Sequence, residues 1–269
     1  MSLKIVVLAK QVPDTRNVGK DAMTAEGTVN RAALPAIFNP EDLNALEQAL
    51  RLKEQHPGST VGILTMGPPR AGEIIRQGLY RGADTGWLLT DRLFAGADTL
   101  ATSYALATAI KKIGDVDIVI GGRQAIDGDT AQVGVQIAIH MGIPVTTYVE
   151  KLVDVNEQSI TVQRQYEDRY QTVRMRYPCL ITAIGDLNKP RYMSVGGCWD
   201  AYAKEIKIMT YADIADVADE SNMGLAGSPT YVATSTTKEA KGAGTVLKDL
   251  SPDEAVAAIV DKLAAMHII

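Results

Sequence analysis

Cysteine is nearly absent: Cys179 and Cys198 are the only two in 269 residues, and they form no CxxC pair. Both read as buried or bystander thiols. The three histidines, His56, His140 and His267, lack the rhythm of metal ligands, so no metal site is expected. Asp127-Gly128-Asp129 has the outline of a calcium loop, yet the other ligand positions of an EF-hand are missing. There is no GxGxxG. The nearest match to a Walker loop, Gly67-Pro68-Pro69-Arg70-Ala71-Gly72-Glu73, puts glutamate where the phosphate-binding lysine belongs. No GxSxG occurs, and no Ser or Cys declares itself beside a His and an Asp, so hydrolysis and acyl transfer are not expected. Excess positive charge is also lacking: the net charge is −5 and no basic stripe appears, which argues against a nucleic-acid partner. The apolar runs are far short of a membrane span. The opening MSLKIVVLAKQVPD has too brief an apolar region and no small-residue cleavage site for a signal peptide, so a cytoplasmic protein is expected.

What is present describes an α/β chain. With 46% hydrophobic and 22% charged residues, it has material for a substantial core. Four apolar runs, Ile5 to Ala9, Val61 to Met66, Trp87 to Leu89 and Val116 to Ile120, alternate with segments of helical period. That alternation predicts a doubly wound, mostly parallel sheet. The helix after Phe38 has a clear start: Asn39 as cap, Pro40 in the first helical position, Glu41 and Asp42 in the first turn, and Leu43, Leu46 and Leu50 as its stripe. It should stop before Pro57-Gly58. From Ile160, alternation on either side of Glu167-Asp168-Arg169 predicts an antiparallel hairpin near 158–177. Gly185 to about Lys248 shows little period and reads as a partner-wrapping arm or a flexible region. The end is helical again, with Ser251 as cap, Pro252 after it, Glu254 completing a capping box, and an apolar face of Ala255, Val256, Ile259, Val260 and Leu263 that must dock somewhere.

The most informative stretch is GGRQAIDGDTAQVG, Gly121 to Gly134, where a strand meets glycines and two aspartates and then becomes a helix expected to start near Thr130. Ligands of open α/β sheets lie beyond the carboxyl ends of strands, and a helix start offers unpaired N–H groups. Phosphates therefore fit the Gly128 to Gln132 turn. Asp127 and Asp129 must then point away or accept hydroxyls, and either is equally a candidate helix cap. At Asn39 to Asp42 the acids would repel a phosphate, whereas ribose hydroxyls or a base edge would find acceptors.

Lys10-Gln11-Val12-Pro13-Asp14-Thr15, Asn39-Pro40-Glu41-Asp42, Thr65-Met66-Gly67-Pro68-Pro69, Thr90-Asp91-Arg92 with Ala95-Gly96-Ala97-Asp98-Thr99, Gly122 to Gly134, and Asn188-Lys189-Pro190-Arg191-Tyr192 follow one another in an order and spacing that resembles the beta subunit of electron transfer flavoprotein along nearly the whole chain. The resemblance implies a Rossmann-like nucleotide-binding domain over 1–190. It implies that 191–269 holds a recognition loop, an extended arm and a C-terminal helix docking on the partner. That partner is an alpha subunit carrying a redox FAD, in an obligate heterodimer. It also implies an adenine nucleotide here, bound by Leu8 and Ala9, by Asn39, Pro40, Glu41 and Asp42, by Met66, and by Gly121, Gly122, Arg123, Gln124, Ala125, Ile126, Asp127, Gly128, Asp129, Thr130, Ala131 and Gln132. Asp14, Thr15 and Arg123 are candidates near a flavin ring or pyrophosphate, Arg123 being also open to pairing with an acidic neighbour, and no residue is expected to be catalytic.

The family divides on that nucleotide. Housekeeping members carry a structural AMP. Bifurcating members carry a second FAD, take a hydride from NADH and split the electrons between a high-potential flavin and ferredoxin or flavodoxin. Val12 to Thr15, Gly128 and Thr130 resemble the second group, so FAD is preferred over AMP. Any NADH oxidation is expected only in complex with the alpha subunit and partners. The segment after Tyr192 resembles the family's recognition loop for an acyl-CoA dehydrogenase, with Val195 as apolar anchor. Gly196 to Tyr202 departs from the family's more basic run, leaving Trp199 and Tyr202 as partner anchors or as residues packed on this subunit.

Overall fold

The computed structural model describes residues 1–14, 35–231, 233, 244 and 246–269. The short β-branched runs form parallel strands buried on both faces. In β1, Lys4–Leu8, the side chains of Ile5 and Val7 join one core cluster while Val6 and Leu8 join the other. That two-residue period splits the strand between two helical layers. β4, Thr60–Met66, pairs with β1 on one side, and β6, Ile118–Gly122, on the other, with Ile5 opposite both Val61 and Ile118. β5, Thr85–Leu89, extends the sheet beyond β4.

Helices α1, Pro40–Gln55, and α2, Gly72–Tyr80, cover one face, through Leu46, Leu50, Ile74 and Ile75. The opposite face takes α3, Thr99–Ile113, and α4, Val133–Met141, through Leu106, Ile110 and Ile137. The chain steps outward from β1 to β4 to β5, then α3 carries it back to β6 on the other side of β1. This reversal makes the gap beyond β1 and β6 the topological switch point of the sheet. A two-stranded antiparallel ribbon, β2, Gln11–Pro13, with β3, Ala36–Phe38, leads out of β1 and returns the chain to α1.

Two further strands of the large sheet, outside the four runs and the hairpin, lie beyond β6. β10, Cys179–Ala183, is wholly buried and parallel to β6. β7, Val145–Val155, starts parallel to β10 and then runs antiparallel to β8, Ser159–Tyr166. β8 and β9, Arg169–Arg176, are the expected hairpin and close that edge.

The stretch from Gly185, expected to lack regular structure, holds α5, Val195–Tyr202, β11, Ile206–Met209, and the short α6, Tyr211–Ile214. β11 pairs in parallel with β5 as the outermost strand, giving the order β11-β5-β4-β1-β6-β10-β7-β8-β9. Its few residues carry too little pattern to read in sequence, and burial of Met209 together with pairing to β5 fixes it. The arm beyond Tyr231 falls largely outside the described residues.

The last helix, α7, Pro252–Ala265, starts as expected with a reciprocal capping box between Ser251 and Glu254. None of its residues is buried, and Val256, Ile259 and Val260 stand exposed. Cys179 is buried in β10 and Cys198 is partly exposed; both are free thiols. Among the described residues no helix is long and apolar enough to cross a membrane, and no group of three or more His, Cys, Asp or Glu could hold a metal.

Candidate functional site

The polar side chains that open α1 reach across the switch point and fasten the loop after β6. Asp42 is buried, and its carboxylate accepts the N–H of Lys10 and that of Gly122, each at 2.9 Å. It thereby ties together the chain leaving β1 and the chain leaving β6. Burial pushes its pKa up to about 7, against the pull of its hydrogen bonds. A Cβ on Gly122 would lie 2.4 Å from the Asp42 Oδ1 and 2.8 Å from the backbone carbon of Glu41, so only glycine lets the strand end approach α1 this closely.

Asn39 occupies the cap position of α1 but makes no side-chain cap. Its Nδ2 donates instead to the Gln124 carbonyl at 2.8 Å, and its Oδ1 accepts from the Ile126 N–H at 3.2 Å. Pro40, in the first helical turn, has no N–H to leave unpaired. Glu41 accepts the Gln124 N–H at 3.1 Å through Oε2 and pairs with Arg123 at 3.1 Å through Oε1. Burial raises its pKa, opposed by those hydrogen bonds and the Arg123 charge.

The loop itself is folded on its own polar groups. The Ala125 carbonyl accepts from Asp129 N–H at 2.9 Å and Gly128 N–H at 3.3 Å, making a tight turn. The two aspartates are both engaged: Asp127 with the Lys10 ammonium at 2.7 Å, Asp129 with the Gln124 amide at 2.9 Å. Neither caps α4. That helix starts at Val133 rather than near Thr130, because Asp129 and Ala131 hold φ of 49° and 52°, outside the right-handed helix. Its cap residue, Gln132, makes no side-chain cap bond and instead accepts from the Thr99 hydroxyl at 2.9 Å. The first N–H groups of α4 therefore find no side-chain acceptor among the described residues. Gly128 and Thr130 are exposed, and a Cβ on Gly128 would meet nothing within 4 Å.

Leu8 and Ala9 are buried at the end of β1, where the Ala9 carbonyl accepts from the Thr65 hydroxyl at 3.0 Å. Gly121 packs against Leu8, and Met66 ends β4 at the same edge of the sheet. Asp14 is buried just past β2, its N–H bonded to the Pro35 carbonyl at 2.8 Å. Thr15 lies outside the described residues. The candidates from β1, α1 and the Gly121–Gln132 loop thus converge on one crevice. Asn39 and Asp42 serve it through the backbone they hold, since their side chains are committed to N–H and C=O groups.

Two partners of the crevice lie outside the residues expected to bind the nucleotide. Lys10 is one, neutralising Asp127. Tyr148 of β7 is the other: its ring lies under the Arg123 guanidinium, 5.3 Å from centroid to Cζ. Only the backbone course of β7 reveals it. Away from the crevice, Trp199 and Tyr202 on α5 are 82% and 76% exposed, the Tyr202 ring tilted 42° against that of Tyr80 with 6.1 Å between centroids. Trp199 does not pack into the described residues of this subunit.

A doubly wound, mostly parallel sheet whose polar loops are stapled together at its switch point defines an α/β protein of the Rossmann-like class. Residues 26–220 match the electron transfer flavoprotein domain. The chain belongs to the electron transfer flavoprotein family, in its beta-subunit branch. It is 51% identical to electron transfer flavoprotein subunit beta of Clostridium acetobutylicum over 267 residues, covering 99% of this chain and all of that one. With the same coverage it is 49% identical to subunit CarD of the caffeyl-CoA reductase-Etf complex of Acetobacterium woodii. It is 44% identical to the acryloyl-CoA reductase electron transfer subunit gamma of Anaerotignum propionicum, again over 99% of this chain and all of the relative.

Proposed function

We propose that this chain is the beta half of a heterodimeric electron transfer flavoprotein and binds an adenine nucleotide, preferably FAD, in the crevice beyond β1 and β6. The observation that carries this reading is the start of α4 without a side-chain cap beside an open Gly128, with Asp127 neutralised by Lys10 and Asp129 held by the Gln124 amide. Such a place accepts phosphate, through N–H groups and the positive end of the helix. A pyrophosphate needs close approach to the backbone, and the missing side chain at Gly128 permits it. Glu41 and the backbone of Asn39 to Asp42 face the ribose and adenine, while Arg123 lies toward the pyrophosphate or the ring.

When bound, the flavin supplies the hydride and electron chemistry. The residues of this chain bind and orient it, and no side chain here moves a proton in the reaction. In complex with the alpha subunit and its FAD, the protein passes electrons between NADH or an acyl-CoA dehydrogenase type flavoprotein and acceptors such as ferredoxin or flavodoxin, by flavin-based bifurcation. The names of two relatives, each tied to an acyl-CoA reductase, support that partner class. The exposed faces of α7 and α5 suit docking on the alpha subunit and on that flavoprotein respectively. The second reading is a structural AMP in the same crevice, whose ribose and adenine would meet Glu41 and the backbone of Asn39 to Asp42 in the same way.

The test is to co-express this chain with its alpha subunit, denature the complex and quantify released nucleotide. Two FAD per heterodimer and no AMP is the expected result. One FAD with one AMP would overturn the bifurcating reading and leave the nucleotide structural.

A further inference from the structure

Tyr148 has a backbone that no other residue in a described strand shares. Its φ is 58°, a left-handed value that a tyrosine avoids, yet it stands inside β7. The register explains how the chain tolerates it. Thr146 lies opposite Ile181 and Val149 opposite Ala183, so Thr147 and Tyr148 together face Thr182 alone. This is a β-bulge, a device that turns a side chain out of the pleat and is enriched beside functional sites.

The redirected ring meets Arg123. The backbone of Arg123 is fixed by its N–H to the Ala183 carbonyl at 2.8 Å, and its guanidinium lies over the Tyr148 face at 5.3 Å. Glu41 holds it only in part. The Glu41 Oε2 is taken by the Gln124 N–H, and Oε1 lies 3.1 Å from the Arg123 Nη2, an ion pair without the two parallel hydrogen bonds of an arginine–carboxylate fork. The Nε is buried with no acceptor among the described residues. The guanidinium is thus oriented by an aromatic face and one oxygen, with donors left over.

We propose that Tyr148 is a positioning residue: through the bulge in β7 it aims the Arg123 guanidinium at the phosphate or pyrophosphate of the nucleotide held in the crevice. This rests on the nucleotide site proposed above. The strain at Tyr148 is sustained because the ring must lie there, and Glu41 acts as a tether that leaves part of the cation for an anionic ligand.

The test uses the heterodimer stripped of nucleotide and titrated by calorimetry with AMP and, separately, with FAD. Tyr148→Phe, which keeps the aromatic face, should bind both within about twofold of wild type. Tyr148→Gly should weaken binding about five- to tenfold while its thermal midpoint is equal to or above wild type, since glycine adopts this φ freely. Arg123→Gln should weaken binding too, and adding Tyr148→Gly to it should cost nothing more, because the ring acts through the arginine. Wild-type affinity in Tyr148→Gly, or losses that add in the double variant, would overturn the assignment. A wild-type heterodimer that binds neither probe would sink the crevice reading itself and this inference with it.

Discussion

Lys10 and Asp127 close an ion pair of 2.7 Å between the chain leaving β1 and the loop after β6, and so remove the one full negative charge that would meet a phosphate at that turn beside Asp129. The lysine is half exposed and the aspartate largely buried, so the pair contributes at most about 1 kcal/mol to folding. Its larger effect falls on the ligand. Lys10→Ala should leave stability nearly unchanged and weaken nucleotide binding several-fold, as Asp127 becomes an uncompensated charge. Adding Asp127→Asn should restore most of the loss. Titration of the stripped heterodimer with AMP measures both, and unchanged affinity in Lys10→Ala would show that Asp127 faces away from the ligand.

Gly122 and Gly128 separate packing from binding within one loop. A methyl group on Gly122 would run into Asp42 and Glu41 at 2.4 and 2.8 Å, so Gly122→Ala should destabilise the fold by about 1–3 kcal/mol. At Gly128 the same change meets nothing within 4 Å, and stability should hold within about 0.5 kcal/mol. Gly128→Asp, however, puts bulk and charge where the pyrophosphate is proposed to approach, and should shift the released nucleotide from FAD toward AMP. Denaturant midpoints and nucleotide content read the two effects separately.

Asp42 makes folding sensitive to pH. Its carboxyl has a pKa of about 7 in the folded chain against an ordinary value of 3.8, because it is fully buried. The folded state therefore holds a proton that the unfolded chain has released. The contribution to stability is fully present below about pH 4 and falls away as pH rises through about 7, with close to one proton taken up on folding inside that window. Asp42→Asn should abolish this dependence. It should also cost about 1–3 kcal/mol, because an amide has one acceptor oxygen for the two N–H groups of Lys10 and Gly122. A stability profile between pH 4 and 8 that matches wild type in Asp42→Asn would refute the assignment.

These sites differ in how far the sequence announces them. The parallel strands could be read because runs such as Ile5 to Ala9 are β-branched and bounded by polar segments, and both ends of α1 follow from Pro40 and Pro57-Gly58. The terminal capping box is likewise written in Ser251 and Glu254. β11 could not be read this way, since four residues in register with Gly86 to Leu89 owe their conformation to a neighbour far along the chain. The start of α4 departs from its sequence pattern for a different reason: good helix formers at Thr130 to Gln132 are overridden by left-handed backbone at Asp129 and Ala131. Composition marked Asn39 as a helix cap, whereas its amide bridges to Gln124 and Ile126 across more than eighty positions. Tyr148 has no local signal at all.

Trp199 separates the docking role of α5 from its role in the fold. The helix is anchored by Ala201, which is fully buried, and by Arg76, whose guanidinium donates to the carbonyls of Ala201 and Lys204 at 2.7 Å. Trp199 and Val195 contribute little to that anchorage, being 82% and 91% exposed. Trp199→Ala should therefore leave the unfolding midpoint within about 0.5 kcal/mol of wild type, as expected for a surface position. A large aromatic side chain held open on a rigid helix has the character of an interface hot spot, and its truncation in such a setting costs about 2 kcal/mol or more of binding. With an acyl-CoA dehydrogenase type flavoprotein as acceptor or donor, Trp199→Ala should raise the half-saturating partner concentration by at least about tenfold, leaving nucleotide content and the rate at saturating partner unchanged. Arg76→Ala is the contrasting variant: it should loosen α5 itself, lowering both stability and partner affinity. Equal partner affinity in Trp199→Ala and wild type would place the docking surface elsewhere on the subunit.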